Sequence, residues 1–308
     1  MFTFGSDPEF MVVKDGKYHA AFKMIQGDTE NRIDINGHQF YYDNVMAECA
    51  IKPGSSKQEV IENVGECLSI YADMVRPFKL VAQASQEYPA DELEDERAKN
   101  AGCSPDWCAY AMKLMDTPKE LIRDGNLRSC GGHIHLGSPF LMKNGPDPWR
   151  VIYMMDLFLG IPSLWLDKDP TSTRRRQLYG QAGRYRLKEK YGLEYRSLGN
   201  FWLTSPAMVG LIYDLCEYVL GFVESGKAAE CWEFNEEVFY SSSNLPDAWT
   251  CHWYEPDILK AKLDANDKNV PLGLSFLKAM LPKSLHKDLI KICDADPVDL
   301  YTGWGLTC

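Results

Sequence analysis

The sequence predicts an α+β protein with a mainly antiparallel sheet at its centre and a helical last third. Strand-like runs dominate the first two thirds of the 308 residues, and single helices are interleaved with them without strict alternation. From Ser205 onward the apolar residues recur at helical spacing almost to the end. Charged residues recur at positions i and i+2 inside the strand-like runs, which predicts that one face of the sheet is polar.

The first third of the chain is predicted to hold a hairpin, a further extended segment and one helix. Asp15-Gly16 is a hairpin turn signal between two apolar runs. Ser56 and Glu59 form a capping box, and the apolar residues after them recur at helical spacing until Pro77. The predicted ranges are 1–13 and 18–22 for the hairpin strands, 38–51 for the extended segment and 56–76 for the helix.

The remaining elements follow from turn residues and apolar spacing. Asp147-Pro148 is an N-cap with proline at the first helical position, and the long helix that it begins is expected to kink near Pro162. The predicted strands are 80–85, 128–137 and 193–198, and 91–100 is a solvated loop or short helix. The predicted helices are a short one from Thr117-Pro118, then 147–167, 207–224, 228–239, 256–263, 274–281 and 285–292.

Composition argues against nucleic-acid-binding, membrane-spanning and disulfide-rich classes of protein. The formal net charge of −11 argues against nonspecific nucleic-acid binding, which needs a basic surface. The most apolar long stretch, 151–166, contains Asp156 and Pro162 and is too short to span a bilayer. Because the N-terminal residues read as a strand, without a charged start or an apolar h-region, we expect no secretory signal. The ten cysteines are scattered without a C-x-x-C pair, which favours reduced thiols in a cytoplasm over a zinc site or a disulfide framework.

The most informative motif is GGHIHLG at residues 131–137. In a strand, His133 and His135 project from the same face, and the glycines beside them remove side-chain bulk where a ligand could approach. Neutral imidazole is a good metal ligand, and charged imidazole is a good neighbour for phosphate. A lone histidine at such a position would instead be an ordinary core residue.

Three further segments repeat this arrangement of polar residues. Asp7 and Glu9 are i and i+2 in FGSDPEF, Glu194 and Arg196 are i and i+2 in GLEYRSLG, and Glu48 lies alone in NVMAECAIKP. Carboxylates that converge from several strands can hold a divalent metal, and an arginine among them can bind a phosphate or carboxylate oxygen. The alternatives are solvated acids at a sheet edge for the first pair and a cross-strand ion pair for the second.

An arginine-dense segment stands out in this acidic chain. It carries Gly180 and Gly183, which suit a loop, and we predict a flap over 171–190 that closes on an anion. A solvated charged face is the alternative. The chain has no Walker phosphate loop and no G-x-G-x-x-G motif, so metals and arginines would have to hold any nucleotide phosphates. The arginines are Arg174, Arg175, Arg176, Arg184 and Arg186.

Taken in chain order, these motifs resemble those of the glutamine synthetase-like carboxylate–amine ligases. GSDPEF and the block YGQAGRYR…YGLEYRSLGNFW look most like the phage-encoded type 2 amidoligases, and the resemblance covers roughly residues 1–205. It implies an open, mainly antiparallel sheet with divalent metals on its concave face and helices on its flanks. It also implies a catalytic core at 1–205 and a helical C-terminal extension at 206–308 packed on that core.

The resemblance further implies ATP-dependent amide formation through an acyl phosphate, with Mg²⁺ or Mn²⁺ as cofactor. The first position is Asp7 where the wider superfamily usually has glutamate, and its shorter side chain suggests a metal contact through water. The implied roles are Glu9 and Glu48 on one metal; Asp7, His133 and Glu194 on another; His135 near the transferred phosphate; Arg196 on phosphate or acyl-phosphate oxygens; and Arg184 and Arg186 on phosphate or substrate carboxylate.

Two other functions remain open at this stage. A metal-dependent hydrolase could use the same acids and histidines with an activated water. A non-catalytic binding module would carry the acids only as a solvated sheet face. For the ligase we expect small-molecule or peptide carboxylate and amine partners, no direct nucleic-acid or membrane partner, and a cytoplasmic location, in the host if the protein is phage-encoded. The two substrates and the oligomeric state are left open.

Overall fold

The computed structural model describes residues 2–99, 105–116, 125–142, 148–226, 256–269 and 273–307. In these residues one twelve-stranded sheet forms the centre and two short strands pair separately. The strands are β1 (Thr3–Ser6), β2 (Glu9–Lys14), β3 (Lys17–His19), β4 (Ile33–Ile35), β5 (His38–Asp43), β6 (Met46–Gly54), β7 (Lys79–Val81), β8 (Ser85–Glu87), β9 (Asp106–Cys108), β10 (Lys113–Met115), β11 (Leu127–Ser129), β12 (Ile134–Gly137), β13 (Arg184–Lys188) and β14 (Gly192–Tyr195).

The sheet order joins strands that are far apart in the chain. Its main path runs β10-β9-β13-β14-β12-β1-β6-β2-β3, with β5 beside β6, β4 beside β5, and β7 beside β2. The pairings are antiparallel throughout, which confirms the predicted sheet type. Because β1 lies between β6 and β12, the N-terminal motif comes next to the histidine motif and to Glu48.

Helices cover the sheet and fill the C-terminal part of the described chain. Ser56 caps the first of them, since its side chain accepts a hydrogen bond from the backbone N–H of Glu59. The predicted long helix is present, and a π-helical turn at Asp156–Gly160 interrupts it just before Pro162. The helices are α1 (Lys57–Met74), α2 (Pro139–Met142), α3 (Pro148–Met155), α4 (Ile161–Leu166), α5 (Ser172–Leu178), α6 (Pro206–Glu224), α7 (Pro256–Asp264), α8 (Gly273–Met280), α9 (Lys283–Asp294) and α10 (Leu300–Trp304).

The helix α6 belongs to the hydrophobic core. It is long and apolar enough to cross a membrane by length and composition, but 61% of the relevant window is buried inside the protein. Its buried residue Val209 lies in the same apolar cluster as Phe4 of β1 and Leu68 of α1. We therefore interpret α6 as a core helix of this fold.

Two predicted strands are interrupted where the site residues lie. The predicted strand 1–13 is divided into β1 and β2 at Asp7-Pro8, because proline has no N–H for the sheet ladder. The predicted strand 128–137 is divided into β11 and β12, so that His133 comes just before β12. The helices predicted from Thr117 and at 228–239 lie outside the described residues.

The predicted flap at 171–190 is wrong. Its first half forms α5, and its second half forms β13, which lies between β9 and β14 inside the sheet. Arg175 is buried, and its guanidinium donates hydrogen bonds to the carbonyl oxygens of Cys130 (2.6 Å), Ser197 (2.9 Å) and Leu198 (2.9 Å). These carbonyls lie in the irregular segments before β12 and after β14. Arg175 therefore satisfies the buried carbonyls of Cys130 and Ser197, and it is a second donor to Leu198, which also accepts from the backbone N–H of Gly132.

Candidate active site

Strand register brings most of the predicted residues onto one face of the sheet, which we call the site face. Glu9 lies opposite Glu48 in the β2–β6 pair, and His135 lies opposite Glu194 in the β12–β14 pair. Arg186 lies opposite Glu194 on the other side of β14. Residues directly opposite each other in an antiparallel pair project to the same face. The four predicted motifs therefore form a single site.

Asp7, in the turn between β1 and β2, contacts both histidines. Its Oδ1 lies 3.1 Å from Nδ1 of His133 and 3.0 Å from Nε2 of His135. Nδ1 of His133 is also 3.7 Å from Oε1 of Glu194. One ligand atom from each of Asp7, His135 and Glu194 lies within 4.8 Å of the other two. These three residues, with His133 beside them, offer oxygen and nitrogen donors for one divalent cation.

A second group of carboxylates lies next to Asp7. Glu9 accepts a hydrogen bond from the backbone N–H of Gly131 at 2.6 Å, and Glu48 accepts one from the Tyr41 hydroxyl at 2.8 Å. Burial raises the pKa of Glu9 to about 7. Burial, and then the neighbouring charges of Glu9 and Asp7, raise the pKa of Glu48 well above its usual value. We call Asp7, Glu9, Glu48 and the nearby Asp43 the acidic half of the site.

A basic half faces these acids from β13 and from the end of β14. Nζ of Lys188 lies 2.6 Å from Oε2 of Glu194, and NH1 of Arg186 lies 3.7 Å from Oε1 of the same residue. Arg196 also pairs with Glu194. The basic half consists of Arg184, Arg186, Lys188 and Arg196. Glu194, which is fully buried, therefore lies at the boundary between the two halves.

Arg196 is held in one orientation by several contacts. Its Nε donates to Oδ2 of Asp106 at 3.1 Å, and Nε of Arg184 lies 2.5 Å from the other oxygen of that carboxylate. The guanidinium of Arg196 stacks on the ring of Tyr179, 4.8 Å from its centroid. The same ring meets His133 edge-on at 5.5 Å. These contacts hold the arginine ready for an anion without rearrangement.

Burial favours the neutral form of His133, the form that metal ligation requires. Burial, followed by the charge of Arg196, lowers the pKa of His133 to about 3 despite the presence of Asp7. Nε2 of His133 is buried and has no hydrogen-bond partner among the residues described. Nδ1 of His135 contacts the Tyr191 hydroxyl at 2.5 Å, which orients that ring. Unpartnered nitrogen beside carboxylates fits a bound cation.

Sequence reasoning missed five residues of this site. Lys188 continues the alternation of Arg184 and Arg186 on β13, so the i, i+2, i+4 pattern could have found it. The others carried no local signal, because only the folding of distant segments places them beside the motifs. They are Asp43, Asp106, Tyr179 and Tyr191.

Comparison with known proteins agrees with the suspected relationship. A family model described as "Phage phiEco32-like COOH.NH2 ligase-type 2" matches residues 126–242, which confirms the resemblance to the type 2 amidoligases. The matched span includes His133, His135, the basic half and Glu194, whereas the acidic half lies outside it. No curated protein matches the chain.

Proposed function

We propose that this chain, as its match to the type 2 ligase family suggests, is an enzyme that joins a carboxylate to an amine at the expense of ATP. The reaction would proceed through an acyl phosphate on a glutamine synthetase-like sheet. The observation that carries the proposal is the meeting of the acidic and basic halves at Glu194 on one sheet face. Metal cations bound by the acidic half and arginines of the basic half would together neutralise the negative charge of a triphosphate.

The donor set of the acidic half supports Mg²⁺ or Mn²⁺ as cofactor. Hard carboxylate oxygens with an imidazole nitrogen suit these ions. We propose Glu9 and Glu48 for one cation, and Asp7 and Glu194 with His133 for another, beside which His135 lies. A bound divalent cation would neutralise charge on the transferred phosphoryl group.

The basic half supports binding of the phosphate groups. Arg184 and Arg186 project from β13 onto the site face, and Arg196 is fixed by Asp106 and Tyr179. Guanidinium groups bind phosphate and carboxylate oxygens in bidentate fashion. We assign Arg196 and His135 to the transferred phosphoryl group and Arg184 and Arg186 to phosphate or substrate carboxylate.

The chemistry follows from the weak reactivity of a carboxylate. A carboxylate oxygen of the substrate would attack the γ-phosphorus of ATP, and ADP would leave. The amine nitrogen would then attack the acyl carbon, inorganic phosphate would leave, and a carboxylate of the acidic half would accept the amine proton. A hydrolase would have no need of the basic half. Because this reaction consumes ATP, we place the protein in the cytoplasm, the host cytoplasm if it is phage-encoded.

Nucleotide binding and product analysis test this proposal. Mg²⁺ with ATP is expected to raise the unfolding temperature more than either alone, since ligands that bind only the folded state stabilise it. ADP release should depend on an added amine and an added carboxylate, and mass spectrometry of reactions with pooled acids and amines should detect a condensation product. Metal-dependent release of a hydrolysis product without ATP consumption would instead indicate the hydrolase, and the absence of any stabilisation would indicate a binding module of another kind.

The raised pKa of Glu9 predicts a pH-dependent response to Mg²⁺. The folded-state pKa of Glu9, about 7, lies above the usual value of 4.5, so the folded protein holds this proton more tightly than the unfolded chain. Without metal, its contribution to stability is present below about pH 4.5 and is lost as the pH rises through 7. Mg²⁺ competes with the proton, so its stabilising effect should be larger at pH 8 than at pH 6, by about 3 °C. Thermal unfolding at both pH values, with Mg²⁺ and with chelator, checks this; an equal shift at both would contradict it.

A further inference from the structure

Lys188 is the most exposed of the three cations around Glu194. Its side chain is 28% exposed, whereas that of Glu194 is fully buried. Lys188 lies opposite Gly192, which has no side chain, so the lysine stem can cross β14 diagonally to reach Glu194. Among the described residues, Glu194 is the one acidic group within 4 Å of the Lys188 ammonium. The lysine is therefore held at this point by a single ion pair.

Arg196, the other cation that directly contacts Glu194, is held in place by more than this ion pair. Its side chain is 2% exposed, and Asp106 and Tyr179 contact its guanidinium from two further directions. Arg186 lies farther from Glu194, at 3.7 Å. Loss of the cationic partner of Oε2 of Glu194 would therefore require movement of Lys188 alone.

Together with Asp7 and His135, Glu194 is also one of the three residues whose ligand atoms cluster tightly enough to hold a metal ion. A divalent cation bound there and the Lys188 ammonium, 2.6 Å from Oε2, would both be drawn to the same buried carboxylate. Two cations a few ångströms apart repel each other strongly in a partly buried site. Binding of a metal at this site and the ion pair between Lys188 and Glu194 therefore oppose each other.

We propose that Lys188 is the resident counter-ion of Glu194, and that a divalent cation displaces it when it binds. This inference rests on the metal site of the proposed function. In the absence of metal, Lys188 keeps the buried carboxylate paired. In the presence of metal, Lys188 is released at the exposed rim of the basic half, beside Arg186. The lysine is a positioning residue that sets the affinity for the cation.

Replacement of Lys188 by methionine tests the exchange with Mn²⁺ alone as the probe. Without the competing ammonium, Lys188→Met should bind Mn²⁺ roughly tenfold more tightly than the wild type, measured by titration of free Mn²⁺ with electron paramagnetic resonance. In chelator, the same variant should unfold at a lower temperature, and Mn²⁺ should restore it. Lys190→Met removes the same charge from an exposed position in the same hairpin and should change neither property.

The outcomes separate the two proposals. Unchanged or weaker Mn²⁺ binding by Lys188→Met, in a protein that still binds Mn²⁺ and ATP, overturns the exchange and leaves the ligase standing. A wild type that binds neither Mn²⁺ nor ATP overturns both. If Lys188→Met does not fold, Lys188→Gln, which retains a hydrogen-bond donor for Glu194 without the charge, provides the same comparison.

Discussion

The Glu48→Gln variant is expected to lose turnover by at least about 10³-fold while its fold stays intact. Glu48 is buried beside Glu9 and Asp7, and this burial and these charges raise its pKa well above the usual value, which favours its neutral form when no metal is bound. Glutamine matches that neutral form in shape and can still accept the hydrogen bond from Tyr41. It cannot become an anion, so it cannot bind a cation as a carboxylate does.

The unfolding temperature and its response to Mg²⁺ distinguish a loss of metal binding in this variant from misfolding. Glu48→Gln should unfold in chelator within about 3 °C of the wild type, yet lose most of the stabilisation by Mg²⁺. Glu96→Gln, at a glutamate whose side chain is 84% exposed, makes the same chemical change away from the site and should keep both turnover and the Mg²⁺ response. Normal activity in Glu48→Gln would remove Glu48 from the proposed metal site.

The largest loss of stability is expected at Arg175. In Arg175→Met the stem is retained, but the carbonyl oxygens of Cys130 and Ser197 lose their donor in the protein interior. The carbonyl of Leu198 also loses the guanidinium and keeps only the backbone N–H of Gly132. Leaving a buried polar group unpaired costs about 1–3 kcal/mol, so we expect a loss of about 3–5 kcal/mol in the free energy of unfolding. Chemical denaturation with urea measures it through the shift in midpoint.

Two variants make this prediction specific. Arg174→Met, at the preceding arginine whose side chain is 39% exposed, should change the free energy of unfolding by less than about 1 kcal/mol. Arg175→Lys should not restore stability, because an ammonium cannot reproduce the planar fork that spans several carbonyls. Equal stability of Arg174→Met and Arg175→Met would show that the carbonyls find other partners.

Local patterns predicted much of this fold correctly. The turn signal at Asp15-Gly16 placed the hairpin of β2 and β3, and the capping box and Pro77 defined α1 within a few residues. These features depend on near neighbours in the chain, whose geometry the backbone dictates. The same rule failed at Asp7-Pro8 and ahead of His133, where strands predicted as continuous are interrupted.

The arginine-rich segment shows where local reasoning stops. Arg174 and Arg175 are adjacent, and nothing in their identity separates the exposed arginine from the buried one. The difference arises because α5 turns Arg175 toward carbonyls at residues 130, 197 and 198, which lie in other segments. A run of like charges predicts a solvated face only when no unpaired interior group lies within reach.

The sequence by itself predicted the mainly antiparallel sheet, the capped helix α1 and the site motifs, because each depends on residues close together in the chain. Only the tertiary structure decided that Asp106 holds Arg184 and Arg196, and that Lys188 holds Glu194. The physical reason is that strand neighbours far apart in the chain are selected by packing of the whole core. Electrostatic partners across such strands are therefore a consequence of the fold as a whole and not of any one motif.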